Sequence, residues 1–214
     1  MLAGCGPAVE YNYRLAATVD TPEGIKTASS VIRITHGKSG GLLNQGSAHY
    51  YGEAVPVDLG KRGVLFVLLT SKNDSGLAYG LPEFTLQSLF DRDISGTDEA
   101  YLDNIRRMKS ISGVHQVERR IYPRSVWFPD MADPKSVQEV DPDNLAATFG
   151  EGVRFRSLTV EITDDRHTKG VIEKYLPWID SKRDGTIDGS TVVFVNNPNL
   201  SGHIGSAAFL GEND

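Results

Sequence analysis

Between residues 11 and 20 every second side chain belongs to one apolar set: Tyr11, Tyr13, Leu15, Ala17 and Val19 alternate with Asn12, Arg14, Ala16, Thr18 and Asp20. A period of two puts one side of an extended chain in a core and the other in water, and a helix cannot use it. Thr21-Pro22-Glu23-Gly24 follows. Proline presets φ and glycine accepts positive φ, so the stretch predicts a tight turn. Residues 25–35 then return as a second strand, and the chain opens with an antiparallel hairpin. The apolar phase of this return strand slips between Ile25 and the pair Ile32 and Ile34, which predicts a bulge near Ser29 and Ser30.

A second hairpin is expected after the Gly-rich loop of residues 37–47. Tyr51, Glu53, Val55, Val57 and Leu59 would share one face, Gly60 to Gly63 would turn, and residues 64–69 (VLFVLL) read as the most buried strand. Pro56 marks its own strand as an edge or a bulge, because it cannot donate to a ladder. The middle of the chain predicts a short helix over 81–90 with Pro82 in its first turn. A better helix spans 98–108, with Thr97 as its cap and an apolar stripe of Tyr101, Leu102, Ile105 and Met108. Strands are expected from Val114, at 125–128 and at 154–163. In the last of these, Phe155, Ser157, Thr159 and Glu161 would lie opposite Arg156, Leu158, Val160 and Ile162. Asp133-Pro134 and Asp141-Pro142 open turns. A helix is expected over 167–178, stopped by Pro177, and one last strand over 192–195. The fold class that follows is α+β: an antiparallel sheet built from N-terminal hairpins, with inserted and C-terminal helices. Residues 1–10 read as a tether and 11–214 as one domain.

The charge balance narrows the partners. With 22 Lys and Arg against 28 Asp and Glu the net charge is −6, which repels phosphate backbones and argues against nucleic acid. No apolar run reaches the length of a membrane span. A single cysteine forms no internal disulfide.

Four motifs invite a chemical reading. Gly37-Lys38-Ser39 resembles the end of a phosphate loop, but the glycine that the loop needs five places earlier is Ile32 and no helix is expected after it. Residues 180–191 (DSKRDGTIDGST) resemble a calcium loop at Asp180, Asp184, Gly185, Ile187 and Asp188. Lys182 and Thr191 replace two of its oxygen ligands, so no metal is expected there. Glu161, Asp164 and Asp165, with Asp141 and Asp143, supply carboxylates that a hydrolase could use for acid–base work. Capping of the following helix by Asp164 or Asp165 is the simpler reading. His49-Tyr50-Tyr51 is an aromatic patch that reads as packing, or else as a ligand-binding face. Histidines 36, 49, 115, 167 and 203 have no metal-ligand spacing, and no cofactor is expected.

The N-terminus carries Leu2-Ala3-Gly4-Cys5, which resembles the lipobox of bacterial lipoproteins. The basic and apolar segments of an export signal do not precede it, so the sequence predicts a true start upstream of Met1; the chain as written would stay cytoplasmic. Gly6 rather than Asp follows the cysteine, which by that resemblance implies the periplasmic face of the outer membrane. Residues 19–32 (VDTPEGIKTASSVI), 52–69 (GEAVPVDLGKRGVLFVLL), 133–150 (DPKSVQEVDPDNLAATFG), 158–165 (LTVEITDD) and 176–180 (LPWID) resemble an uncharacterised family of proteobacterial envelope proteins, predicted lipoproteins with no assigned activity. The resemblance implies location and lipid attachment at Cys5, and no chemistry. The expected function is therefore a non-catalytic binding or scaffolding role at the membrane surface, with a membrane partner reached through the lipid on Cys5. A periplasmic hydrolase using carboxylates of the acidic segments is the alternative. A hydrolase would show converging titratable groups in a pocket; a scaffold would show a binding face.

Overall fold

The computed structural model describes residues 9–37, 47–71, 77–86, 99–183, 185–190 and 199–212. The opening hairpin forms as the alternation requires. Strand β1 (Val9–Thr21) pairs with β2 (Gly24–Gly37) in unbroken register, from Val9 opposite His36 to Thr21 opposite Gly24. The Thr21 hydroxyl donates to the Gly24 carbonyl at 2.7 Å and closes the turn. The bulge expected near Ser29 and Ser30 does not form. Ile25 lies 58% exposed on the outer face, opposite Asp20, while Ile32 and Ile34 face inward opposite Tyr13 and Tyr11. One apolar residue pointing outward mimicked a phase slip.

The hairpin is the centre of a five-stranded antiparallel sheet in the order β3-β2-β1-β9-β6, completed by β3 (Ser47–Tyr51), β6 (Val114–Gln116) and β9 (Arg154–Thr163). A bulge does occur, but on β9. Ser157 sits opposite Thr18 and Phe155 opposite Val19, which leaves Arg156 out of the ladder. Phe155 thereby joins Leu158 and Val160 in the core, against the strict alternation expected for this strand.

The second sheet has four strands in the order β4-β5-β7-β8: β4 (Val55–Asp58), β5 (Val64–Val67), β7 (Ser125–Trp127) and β8 (Gln138–Glu139). Pro56 lies on β4, the edge strand, as a residue without an N–H should. The single strand expected through 51–59 is broken. At Gly52 the backbone takes φ +129° and passes from the first sheet to the second; a Cβ there would stand 2.7 Å from the Val31 carbonyl oxygen. Tyr51 therefore stays on the outer face of the first sheet, while Val55, Val57 and Leu59 enter the core.

β5 is covered on both sides. Leu65, Val67 and Leu69 belong to the cluster between the sheets, where β4 packs on β1 and β2. Val64, Phe66 and Leu68 belong to a second cluster on the far side of the four-stranded sheet, with Ile172, Leu176, Ile187, Ile204 and Phe209. Helix α1 (Leu77–Leu86) starts four residues earlier than expected and carries Pro82 in its interior. α2 (Glu99–Met108) packs on β1 and buries Leu102, Ile105 and Met108 as its stripe predicts. α3 (Ala146–Phe149) is a single turn. The helix expected over 167–178 shrinks to α4 (Ile172–Tyr175), because Gly170 at φ +73° breaks the backbone in front of it. Asp165 consequently caps no helix. The expected strand at 192–195 and the capping residue Thr97 lie outside the described residues.

The C-terminal segment ties the two sheets together. It runs beside β3, with the Glu212 N–H donating to the Tyr50 carbonyl at 2.8 Å and the Gly211 N–H to Gly52 at 2.7 Å, and it receives the Leu69 N–H on Ala208 at 2.8 Å.

Candidate functional site

The outer face of the first sheet is polar. Register places Glu10, Asn12 and Arg14 of β1 beside Thr35, Arg33 and Val31 of β2, and Arg33 beside Tyr51 of β3. Where β3 departs at Gly52, Val31 loses its strand neighbour and residue 168 takes the place. The Thr168 N–H donates to the Val31 carbonyl at 2.9 Å, and its hydroxyl oxygen accepts the Val31 N–H at 2.8 Å. Asn12 adds a side-chain donation to the Asp165 carbonyl at 2.7 Å. Residues 165–170 are in this way strapped over one end of the sheet.

Beneath the strap lies an open groove of about 410 Å³ lined by Glu10, Asn12, Arg33, Arg166, His167 and Lys169. The Arg33 guanidinium stacks 4.2 Å from the centre of the Tyr51 ring, and that ring in turn lies 6.0 Å from His167. A guanidinium at that distance from the ring makes a cation–π contact that restrains it. A smaller groove of about 130 Å³ adjoins it across Glu10 and Asn12, with Lys109 and Asp164 on its rim.

Three of the five carboxylates singled out in the sequence pair with arginines. Arg14 holds Glu161 at 2.8 Å and also pairs with Asp165. Asp143 pairs with Arg119 at 2.9 Å, and Asp141 accepts the Asp143 N–H at 2.9 Å. In the calcium-like loop Asp180 pairs with Arg183 at 2.8 Å. Asp188 accepts the Thr186 hydroxyl at 2.6 Å and the Ser190 N–H at 2.9 Å. The Thr186 donation is the main reason that its carboxyl titrates below the usual range. Asp184 and Thr191 lie outside the described residues. Among the described residues no three His, Cys, Asp or Glu side chains form a metal-sized cluster. Gly37 ends β2; Lys38 and Ser39 lie outside the described residues, as does Cys5.

Comparison with known proteins found no match: no family model, curated protein or solved structure is significantly similar to this chain.

The aromatic patch divides. His49 is hydrogen-bonded to Glu212 at 2.9 Å, and the Tyr50 hydroxyl donates to the Ala207 carbonyl at 3.2 Å, so both help hold the C-terminal segment. Tyr51 alone faces the groove cluster. His36 lies on the opposite, buried side, stacked on Tyr11 and 3.3 Å from Glu83 of α1. His115 donates to the Ser112 carbonyl at 3.1 Å. Sequence reasoning missed Arg33, Arg166, His167 and Lys169 as a group. The two-residue turn at Pro22 and Glu23 sets the hairpin register and so puts Arg33 beside Asn12. Nothing in the sequence signals that residue 168 returns to residue 31 across 137 positions.

Proposed function

We propose that this protein is a non-catalytic binding module of the bacterial cell envelope, anchored at the outer membrane by a lipid on Cys5, with the groove beside Arg33 as its ligand face. One observation carries the choice of binding over hydrolysis. Three of the five sequence-predicted acid–base candidates, Glu161, Asp165 and Asp143, are paired with an arginine, whereas the described residues lining the groove are mostly basic, with Glu10 as their one carboxylate. A general acid or base has to reach its substrate, and a carboxylate whose oxygens are engaged by a guanidinium is not placed to do so. The anchor rests on Leu2-Ala3-Gly4-Cys5, which resembles a lipobox.

The test expresses the gene with the codons upstream of Met1 included and labels cells with an alkyne fatty acid. Wild type should be labelled and sediment with membranes, and Cys5→Ser should do neither. Equal labelling of the two overturns the anchor. Hydrolytic turnover that is lost in Glu161→Gln or Asp143→Asn would overturn the binding reading in favour of the hydrolase.

A further inference from the structure

We infer that the end of the first sheet where β1 begins is the face that rests on the membrane, with Phe84 of α1 as its apolar contact with the lipid surface. The inference rests on the reading of Cys5 as a lipid anchor and names the surface that such an anchor turns toward the bilayer.

Chain length is the first argument. Gly6, Pro7 and Ala8 alone stand between Cys5 and Val9, the first residue of β1. Four residue steps span at most about 14 Å, even fully extended. A lipid on Cys5 therefore holds Val9 within that distance of the interface. β1 is 13 residues long, so at about 3.3 Å per residue its other end lies roughly 40 Å from Val9. The tether excludes an orientation with the hairpin turn on the membrane and the start of β1 away from it.

Surface chemistry is the second. α1 packs on β3 and on β6, the two edge strands, and so crosses the sheet. It does so at the Val9 end, since His36 pairs in register with Val9 and its ring lies 3.3 Å from Glu83. Glu83 turns toward His36, and the next residue, Phe84, is 55% exposed. The Phe84 ring lies back over Gly80, where a Cβ would stand 2.9 Å from it, so α1 presents an aromatic ring against bare backbone. Among the described residues four large apolar side chains are exposed. Phe84 stands at the tethered end, whereas Ile25 stands beside the hairpin turn at the opposite one. A single phenylalanine holds a lipid surface weakly by itself. A short tether raises the effective concentration of that surface, so a weak contact suffices to set the orientation.

The experiment couples the unlipidated chain through Cys5, its one cysteine, to a short maleimide-bearing lipid in vesicles of phosphatidylethanolamine and phosphatidylglycerol. Cellular lipidation is then not required. Hydroxyl-radical footprinting of the wild-type side chains compares the coupled with the uncoupled chain. Oxidation of Phe84 should fall severalfold on the vesicles, and oxidation of Ile25 should not change. Phe84→Trp and Ile25→Trp place a fluorophore at each end; brominated lipid should quench the added emission of the first and not of the second. The footprint needs no substitution, so the test stands if either variant fails to fold. Equal protection of the two ends, protection of Ile25 alone, or an unprotected Phe84 overturns the proposal. Labelling of Cys5 in cells is read separately. Labelled cells with an unprotected Phe84 would sink the orientation and leave the anchor standing; unlabelled cells with a protected Phe84 would sink the anchor and leave the geometry of this end as measured.

Discussion

The Glu53 carboxylate accepts the backbone N–H of Ile172 at 2.9 Å, joining positions 119 residues apart in the chain. It also accepts from Val171 at 2.8 Å and from Gly170. Glu53 is 4% exposed, and a carboxylate that deep is tolerable only because the donors around it replace water. Val171 and Ile172 are the N-cap and the first residue of α4, whose N–H groups have no partner within the helix. The same contact fixes the strap that carries His167 and Lys169 over the groove.

Glu53→Gln should therefore destabilise the protein by about 2–3 kcal/mol, since the amide nitrogen would face backbone donors where an acceptor is needed. For a chain of this size that lowers Tm by roughly 5–10 °C. Calorimetry gives the answer, and an unchanged Tm would show that α4 is held by its apolar contacts alone.

β5 and the residue that follows it offer a sharper test of the core. Leu65 and Leu68 face opposite clusters, and both are fully buried. Leu65→Ala and Leu68→Ala should each cost about 2–5 kcal/mol, and Leu68→Asp should prevent folding altogether. Urea denaturation followed by circular dichroism measures the first pair. A neutral result at either leucine would mean that one side of the four-stranded sheet is open.

Acid should reveal Asp188. Its carboxyl titrates below the ordinary range, chiefly through the Thr186 hydroxyl. A carboxylate with a lowered native pKa contributes stability that is fully present above its unfolded pKa and is lost as pH falls through the native value. Asp188→Asn should lower stability by about 1 kcal/mol at neutral pH, because the amide is a weaker acceptor for Thr186 and Ser190. The gap between the two melting curves should narrow as pH is lowered below the usual aspartate range. A gap that stays constant from neutral to acidic pH would detach the Thr186 contact from stability.

What was legible in the sequence was local. The 11–20 alternation, the Thr21–Gly24 turn, the doubly buried run from Val64 and the stripe on α2 each follow from spacing, and all four took the predicted form. Several of the failures share one cause: a distant segment overrode a local pattern. Glu53 took the N–H groups that a longer helix over 167–178 would have bonded internally. Arg14 took Asp165, which read as a helix cap. The opposing β1 strand forced the bulge that turned Phe155 inward. The groove was illegible for the same reason, since its floor and wall meet through contacts between distant residues, Val31 with Thr168 and Asn12 with Asp165.

Two glycines separate backbone strain from close approach. Gly24 has φ +122° with nothing within 4 Å of a built Cβ, whereas Gly52 has φ +129° with the Val31 carbonyl oxygen at 2.7 Å and the Ile32 Cα at 3.1 Å. Both positions disfavour a side chain through φ, but only Gly52 would also drive one into the backbone of β2. Gly24→Ala should cost about 1–2 kcal/mol, from the strained conformation alone. Gly52→Ala should cost at least about 3 kcal/mol, because the same strain is joined by an overlap that rigid strand atoms cannot relieve. It should also loosen the strap, since Val31 is the residue that Thr168 grips; amide exchange at Thr168 should accelerate in Gly52→Ala and stay unchanged in Gly24→Ala. Equal losses of stability in the two variants would refute the close approach and leave the crossing between the sheets without its steric cause.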